Sequence, residues 1–251
     1  MMRSIADLYN RAAPDWERQT PLLVSDFTAR PFVLALCEPL AEAAVLDVGC
    51  GEGYMTRQLR QCGATTVVGI DISAGMLAAA QTAEQAHPLG ITYTLATVVD
   101  LSRFPDAAFD LVLAVAVLNY LTLADTGTAL REIRRVLRPG GRLVFAVPHP
   151  ALPFLRPPAP PLFFDRAAYG YFSGRDCELH GQMWRRDGRA VPVRCVHKTL
   201  ADYFSTLTQA GFTTMPDVYE LGVTDEHLRL DPTFFGPLVD QPLQVAFRLG
   251  R

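Results

Sequence analysis

The chain has 251 residues, 49% apolar and 20% charged, with a net charge of −3. That composition excludes a disordered chain and gives no electrostatic reason to bind nucleic acid or an anionic membrane. The cysteines (Cys37, Cys50, Cys62, Cys177, Cys195) are odd in number and scattered, which argues for free thiols in a reducing cytoplasm and against a disulfide framework. The segment around Arg3, Asp7 and Asp15 lacks the apolar stretch of a signal peptide, and the longest apolar run, Leu111 to Leu118, is too short to span a bilayer. A cytoplasmic protein with no membrane or nucleic-acid partner is expected.

In chain order, "AAVLDVG" (43–49) is a continuous apolar run ending in glycine, the signature of a strand buried on both faces. Tyr54 to Gln61 reads as a helix stopped at Gly63. "TTVVGIDI" (65–72) is the second strand, and Ser73 is a good N-cap for a helix carrying Met76, Leu77 and Ala80 on one face. "ITYTLATV" (91–98) and "FDLVLAVAVL" (109–118) are strands three and four. A helix with Leu130, Ile133, Val136 and Leu137 follows, stopped by "RPGG" (138–141), and "RLVFAVP" (142–148) is strand five. This alternation implies βαβ units and a parallel sheet covered on both faces.

The rhythm then breaks. The proline-rich "PHPALPFLRPPAPPLFF" (148–164) can be neither a helix nor a central strand, and residues 149–198 read as an irregular, aromatic insertion. Thr199 then caps an amphipathic helix that stops at Gly211. "TTMPDVYEL" (213–221) and "PLQVAFRL" (242–249) are two closing strands joined by a long loop. The chain divides into an N-terminal helical cap (1–40), a core (41–148), the insertion as a lid (149–198) and the completion of the core (199–251).

Gly49, Gly51 and Gly53 sit on alternate positions of "VLDVGCGEGYMTRQL", before a helix whose free N–H groups suit an anionic group. The third glycine comes one residue too early for a dinucleotide loop, and no Gly-Lys-Ser/Thr follows as a phosphate loop requires. Asp47, just before the glycines, suits a ligand bearing an ammonium and is of little use to a pyrophosphate. Asp71, about twenty residues beyond the loop at the end of the second strand, is placed to take both hydroxyls of a ribose.

"VLDVGCGEG", "VVGIDIS", "FPDAAFDLVLAVAVLNYL" and "REIRRVLRPGGRLVFAVPHP", in that order, resemble the successive motifs of class I S-adenosylmethionine-dependent methyltransferases of the small-molecule type. The resemblance is strong over residues 40–150 and weaker from "VHKTLADYFSTLTQAGF" onward. It implies a Rossmann-like α/β fold: a seven-stranded, mostly parallel sheet with helices on both faces, an antiparallel last strand and a lid after strand five. It assigns Asp47, Gly49, Gly51 and Gly53 to the methionine part of the cofactor, Asp71 to its ribose and Ile72 to its adenine, with Met76 in the same set. Relatives carry an Asp for the adenine amino group where Thr97 lies here. The Thr97 hydroxyl and the Val98 N–H can serve, or Asp100 after a small shift. Ala114 would line the floor. The segment "LYNRAAPDWERQ" (8–19) resembles the family's cap, in which Tyr9 would contact the methionine carboxylate and Trp16 could face the sulfonium.

The acceptor is expected beyond the carboxyl ends of the strands. Asn119 and Tyr120 follow strand four, and the insertion brings Phe154, Phe163, Phe164, Tyr169, Tyr171, Phe172 and Trp184. An aromatic, proline-stiffened lid suits a small, partly apolar acceptor. Phe234 and Phe235 could wall the same pocket or a dimer contact, for a monomer or homodimer. A general base is needed only if the acceptor must lose a proton. His149 and His197 lead, with Glu220, His227 and Asp231 behind them, and Asn119 or Tyr171 could orient the acceptor instead. "CELH" (177–180) and "CVH" (195–197) are too tightly spaced for the usual zinc site, so no metal is expected. The expected activity is methyl transfer from S-adenosylmethionine to a small molecule, most readily at oxygen, with nitrogen or carbon open. A protein that binds the cofactor but works as a cyclase, an isomerase or a non-methylating module is the alternative, and the glycine spacing disfavours a nicotinamide enzyme.

Overall fold

A computed structural model of the chain describes residues 4–16, 18 and 20–251. Arg3, and Glu17 and Gln19 of the cap segment, lie outside the described residues. In chain order come α1 (Ile5–Trp16), α2 (Val24–Thr28), α3 (Arg30–Leu36), β1 (Ala44–Val48), α4 (Tyr54–Gln61), β2 (Thr66–Asp71), α5 (Ala74–Ala86), β3 (Thr92–Leu95) and β4 (Phe109–Val115). A 3₁₀ turn (Leu118–Tyr120), α6 (Leu123–Val136) and β5 (Leu137–Pro148) complete the first half. The second half holds α7 (Leu152–Leu155), β6 (Leu162–Asp165), β7 (Glu178–Trp184), β8 (Ala190–Val196), α8 (Leu200–Gln209), β9 (Asp217–Leu221), α9 (Asp225–Leu230), α10 (Pro232–Phe235) and β10 (Gln244–Gly250).

Seven strands form one sheet in the order β3-β2-β1-β4-β5-β10-β9. Five run parallel, and β10 lies antiparallel to both β5 and β9, so the expected antiparallel last strand is present. Apolar runs cover both faces: Leu46 and Val48 of β1 enter one core cluster with α6 and α8, while Val45 enters another with α3, α4 and α5. Successive strand residues point to opposite faces, which explains why a strand buried on both reads as a continuous apolar run. The order of the sheet reverses between β1 and β4, and a crevice opens there beyond their carboxyl ends.

Three expectations change. The insertion is not irregular: β6, β7 and β8 form an antiparallel sheet of their own, with Leu179 opposite Cys195 and Met183 opposite Val191. Pro192 is tolerated in β8 because that strand pairs only with β7 and leaves its other edge free of ladder bonds. The proline-rich run does hold a short helix, α7, with Pro153 in its first turn, where the missing N–H costs nothing. The loop after β9 folds into α9 and α10; the Asp231 carboxylate accepts the Phe234 N–H at 3.0 Å and Pro232 opens α10. Strand bounds also depart from expectation: β3 stops at Leu95, and "RPGG" (138–141) lies inside β5, which begins directly where α6 ends.

The second sheet packs onto the cap. Leu162, Phe164, Leu179, Met183, Val191 and Val193 share a buried cluster with Ala12, Ala13 and Trp16 of α1 and Met76 of α5. Asn10 of α1 is tied to the start of α5: its side-chain oxygen accepts from Ser73 Oγ at 2.8 Å and from the Gly75 N–H at 2.9 Å. Ser73 in turn caps α5 by accepting from the Met76 N–H at 3.1 Å. Ser73→Ala is therefore expected to cost about 1–2 kcal/mol by urea unfolding and to make α1 more sensitive to limited proteolysis, since the hydroxyl serves two elements at once.

Candidate cofactor and acceptor site

The glycine loop turns sharply out of β1, with φ of +69° at Gly49 and +56° at Gly51. A Cβ on Gly49 would meet Val117 Cγ2 at 2.2 Å, so the loop and the segment after β4 approach as closely as bare backbone allows. A Cβ on Gly51 would meet nothing within 4 Å, because that residue borders the open crevice.

Two carboxylates face the crevice in different states. Asp47 is 2% exposed, and among the described residues its one hydrogen-bond donor is Thr56 Oγ1 at 2.6 Å. Burial, only partly offset by that hydroxyl, pushes its carboxyl up to about 7. A buried acid with one neutral partner suits a cation. Asp71 accepts the Gly51 N–H on one oxygen at 2.9 Å and the Ser73 N–H on the other at 2.8 Å. These bonds fix the carboxylate plane and leave a lone pair on each oxygen, and burial raises its pKa as well.

The crevice encloses about 170 Å³. Of the residues expected around the cofactor, Tyr9, Asp47, Gly49, Gly51, Asp71, Ile72, Met76, Thr97 and Val98 all line it. Gly53 does not, and neither does Ala114, which packs into the core while Val115 and Ala116 take its place at the wall. Because β3 ends early, residues 97–100 form a turn bridged between Thr97 and Asp100, which puts Thr97 at the cavity and Asp100 outside it. The residues present fit an adenosyl amino acid: an acid for an ammonium, an acid for a diol, and apolar Ile72 and Val98 about the purine end.

Trp16 and Tyr120 also line the cavity. The Tyr9 and Tyr120 hydroxyls are hydrogen-bonded to each other, and their rings meet edge-on with centroids 5.7 Å apart. The Trp16 ring packs tilted against Tyr9, with centroids 5.5 Å apart.

The remaining expected acceptor and catalytic residues lie elsewhere. Asn119, His149 and His197 line a separate pocket of about 10 Å³, room for one water at most. His149 Nδ1 accepts the Ala151 N–H at 3.1 Å, which fixes the proton on Nε2, 2.7 Å from Glu220 Oε1. Both ring nitrogens are thereby engaged, and burial lowers the pKa despite Glu220. His197 donates from Nε2 to the Tyr171 carbonyl at 2.8 Å, with the Phe154 and Tyr171 rings around it. Phe172 is 77% exposed, Trp184 stacks on Phe163, and Phe235 is fully buried against Phe27 and Phe234. Among the described residues no group of three His, Cys, Asp or Glu side chains converges as metal ligands would, and no helix is long and apolar enough to cross a membrane.

Sequence reasoning missed a charged cluster at the methionine end. Arg18 bonds Glu52 and lies 2.9 Å from Asp26, Arg30 donates to Asp26 at 2.9 Å, and the Arg18 guanidinium sits 4.4 Å above the Tyr54 ring. Arg18, Arg30, Glu52 and Tyr54 line the cavity. The one local hint was Glu52, a charge between two glycines of a buried loop.

Residues 46–145 match the methyltransferase domain family. The chain is similar to a malonyl-[acyl-carrier protein] O-methyltransferase of Pseudescherichia vulneris, 32% identical over 143 residues, covering 57% of this chain and 53% of that protein. It is also similar to a demethylmenaquinone methyltransferase of Tropheryma whipplei, 39% identical over 143 residues, covering 56% and 57%. The chain thus spans about half the length of the curated relatives it matches. Its fold is that of an S-adenosylmethionine-dependent methyltransferase from Mesorhizobium loti, with a TM-score of 0.65 at 24% identity over 88% of this chain and 96% of that one.

Proposed function

With residues 46–145 belonging to the class I S-adenosylmethionine-dependent methyltransferases, we propose that the chain transfers a methyl group from that cofactor to a small-molecule acceptor, at oxygen. The observation that carries this reading is the pair Asp47 and Asp71, one buried acid with a single neutral donor and one acid held open by two backbone N–H groups, on either side of a glycine loop at the sheet's reversal point. The similarity to a malonyl-[acyl-carrier protein] O-methyltransferase and to a demethylmenaquinone methyltransferase supports an acidic or quinone-like acceptor.

Bound there, the cofactor supplies an already activated methyl carbon, so the protein's part is chiefly alignment and exclusion of water. Asp47 receives the ammonium, Arg18 and Arg30 face the carboxylate, Asp71 the ribose hydroxyls, and Thr97 with Val98 the adenine. Tyr9, Trp16 and Tyr120 close the remaining side with aromatic faces, which favour a nearby cation.

The deciding experiment is an untargeted search for methylated products with labelled cofactor; turnover without loss of the label from the cofactor would select the cyclase or binding-module alternative. Asp71→Ala is expected to weaken S-adenosylhomocysteine binding by one to two powers of ten in calorimetry, about 1.5–3 kcal/mol for hydrogen bonds to a charged group. Unchanged affinity would remove Asp71 from the ribose role.

A further inference from the structure

We propose that Trp16 and the Tyr9–Tyr120 pair form an oxyanion site for the methyl acceptor, so that the acceptor is an oxygen acid bound ionised, as a carboxylate, enolate or acidic phenolate. The inference rests on the methyl-transfer reading of the same cavity and deepens it.

Trp16 Nε1 is buried with no hydrogen-bond partner among the described residues, on a side chain 9% exposed that lines the cavity. An indole N–H can only donate. The Tyr9 and Tyr120 hydroxyls carry two protons between them, and their mutual hydrogen bond uses one. The neighbouring Asn119 Oδ1 has no partner either, so the second proton is not spent there. Two donors thus remain on residues that line the cavity, with rings that meet tilted and edge-on.

Charges of both signs act on them. Arg194 of β8, which pairs with Glu178 at 3.1 Å, lies near enough to both phenols for its charge to favour their anions. Burial nevertheless pushes both phenols up, Tyr120 to about 12, so both remain protonated donors near neutral pH. Cys195 is pushed up to about 12 by burial and stays a neutral thiol, while the Asp71 carboxylate works against Arg194 at Tyr9.

A base is not what this wall offers. The cavity's own carboxylates are engaged: Asp47 by Thr56, Asp71 by the loop N–H groups, Glu52 by Arg18. An acceptor that arrives ionised needs none. Its oxygen forms the bond to the methyl carbon as that carbon's bond to sulfur breaks, and no proton changes hands. Donors that face the oxygen hold the acceptor in its charged form.

Para-nitrophenol, whose phenolate absorbs in the visible, tests this by titration with the protein, with and without saturating S-adenosylhomocysteine. The bound dye is expected to ionise about one pH unit lower than free dye. Tyr120→Phe and Trp16→Phe should each remove at least half of that shift. Dye bound neutral, dye not bound, or an unchanged shift in both variants overturns the proposal. Weakened S-adenosylhomocysteine binding in Trp16→Phe does so too, by giving the indole donor to the cofactor. Failure of wild-type protein to bind S-adenosylhomocysteine overturns the methyl-transfer reading separately, and the shift without it then decides the oxyanion site alone.

Discussion

Asp47→Asn is expected to stabilise the ligand-free protein near pH 8 by a few kcal/mol while weakening S-adenosylhomocysteine binding by about a hundredfold. The Asp47 carboxyl moves from the ordinary 3.8 to about 7 because it is buried with one neutral donor. The folded protein therefore holds a proton that the unfolded chain releases. The stability this confers is fully present below about pH 4 and is lost as pH rises through about 7. A shift of that size corresponds to something on the order of 4 kcal/mol. Asparagine keeps the hydrogen bond from Thr56 and never ionises, so its unfolding midpoint in urea should lack this fall between about pH 4 and pH 7. Persistence of the full pH slope in the variant would falsify the assignment. Affinity has the opposite sign: an ammonium needs the ionised acid, so wild-type binding should weaken as pH falls below about 7. The residue that makes the ligand-free loop less stable is thus the one proposed to bind.

How much of this was legible in the sequence follows from the range of each interaction. The glycine loop, Asp47 and Asp71 were readable because strand period and the βαβ spacing fix their positions locally. The second sheet was hidden by its own composition. In "ELHGQMW" the inward positions are Leu179, Gly181 and Met183, so a glycine interrupts the apolar alternation, and Pro192 in β8 reads as a breaker although it sits on an edge. Ala114 and Val115 differ by one residue, and in a strand one residue decides the face. His149 stands at the sheet edge, as its place after β5 implies, yet its ring is held by Ala151 and Glu220 and turned from the cavity, an orientation set by a strand 71 residues away. The cluster of Arg18, Asp26, Arg30 and Glu52 joins charges as far as 34 residues apart, and no local pattern announces it.

Asp26→Ala should be the most damaging single change outside the sheet, at about 3–5 kcal/mol of stability. The Asp26 carboxylate is 2% exposed and takes the Leu22 and Leu23 N–H groups at 2.9 Å each, Arg18 at 3.0 Å and Arg30 at 2.9 Å. Alanine takes from both nearly buried guanidinium groups the carboxylate they share, leaving Arg18 with Glu52 and, among the described residues, Arg30 with only the Ser25 hydroxyl, and frees the two N–H groups at the start of α2. Although burial works against it, Arg30 and Arg18 with those N–H groups hold the Asp26 carboxyl below 3.8. Its contribution is accordingly present above about pH 4 and lost as pH falls through the folded value, the reverse of Asp47. Urea midpoints across pH 3 to 8 should therefore separate the two: the gap between wild type and Asp26→Ala narrows on the acid side, and the gap between wild type and Asp47→Asn widens on the alkaline side. Because Arg18 and Arg30 also line the cavity, Asp26→Ala should weaken S-adenosylhomocysteine binding even where the protein remains folded. Intact affinity in folded variant would mean that the cluster only braces the cap and takes no part in holding the cofactor's carboxylate.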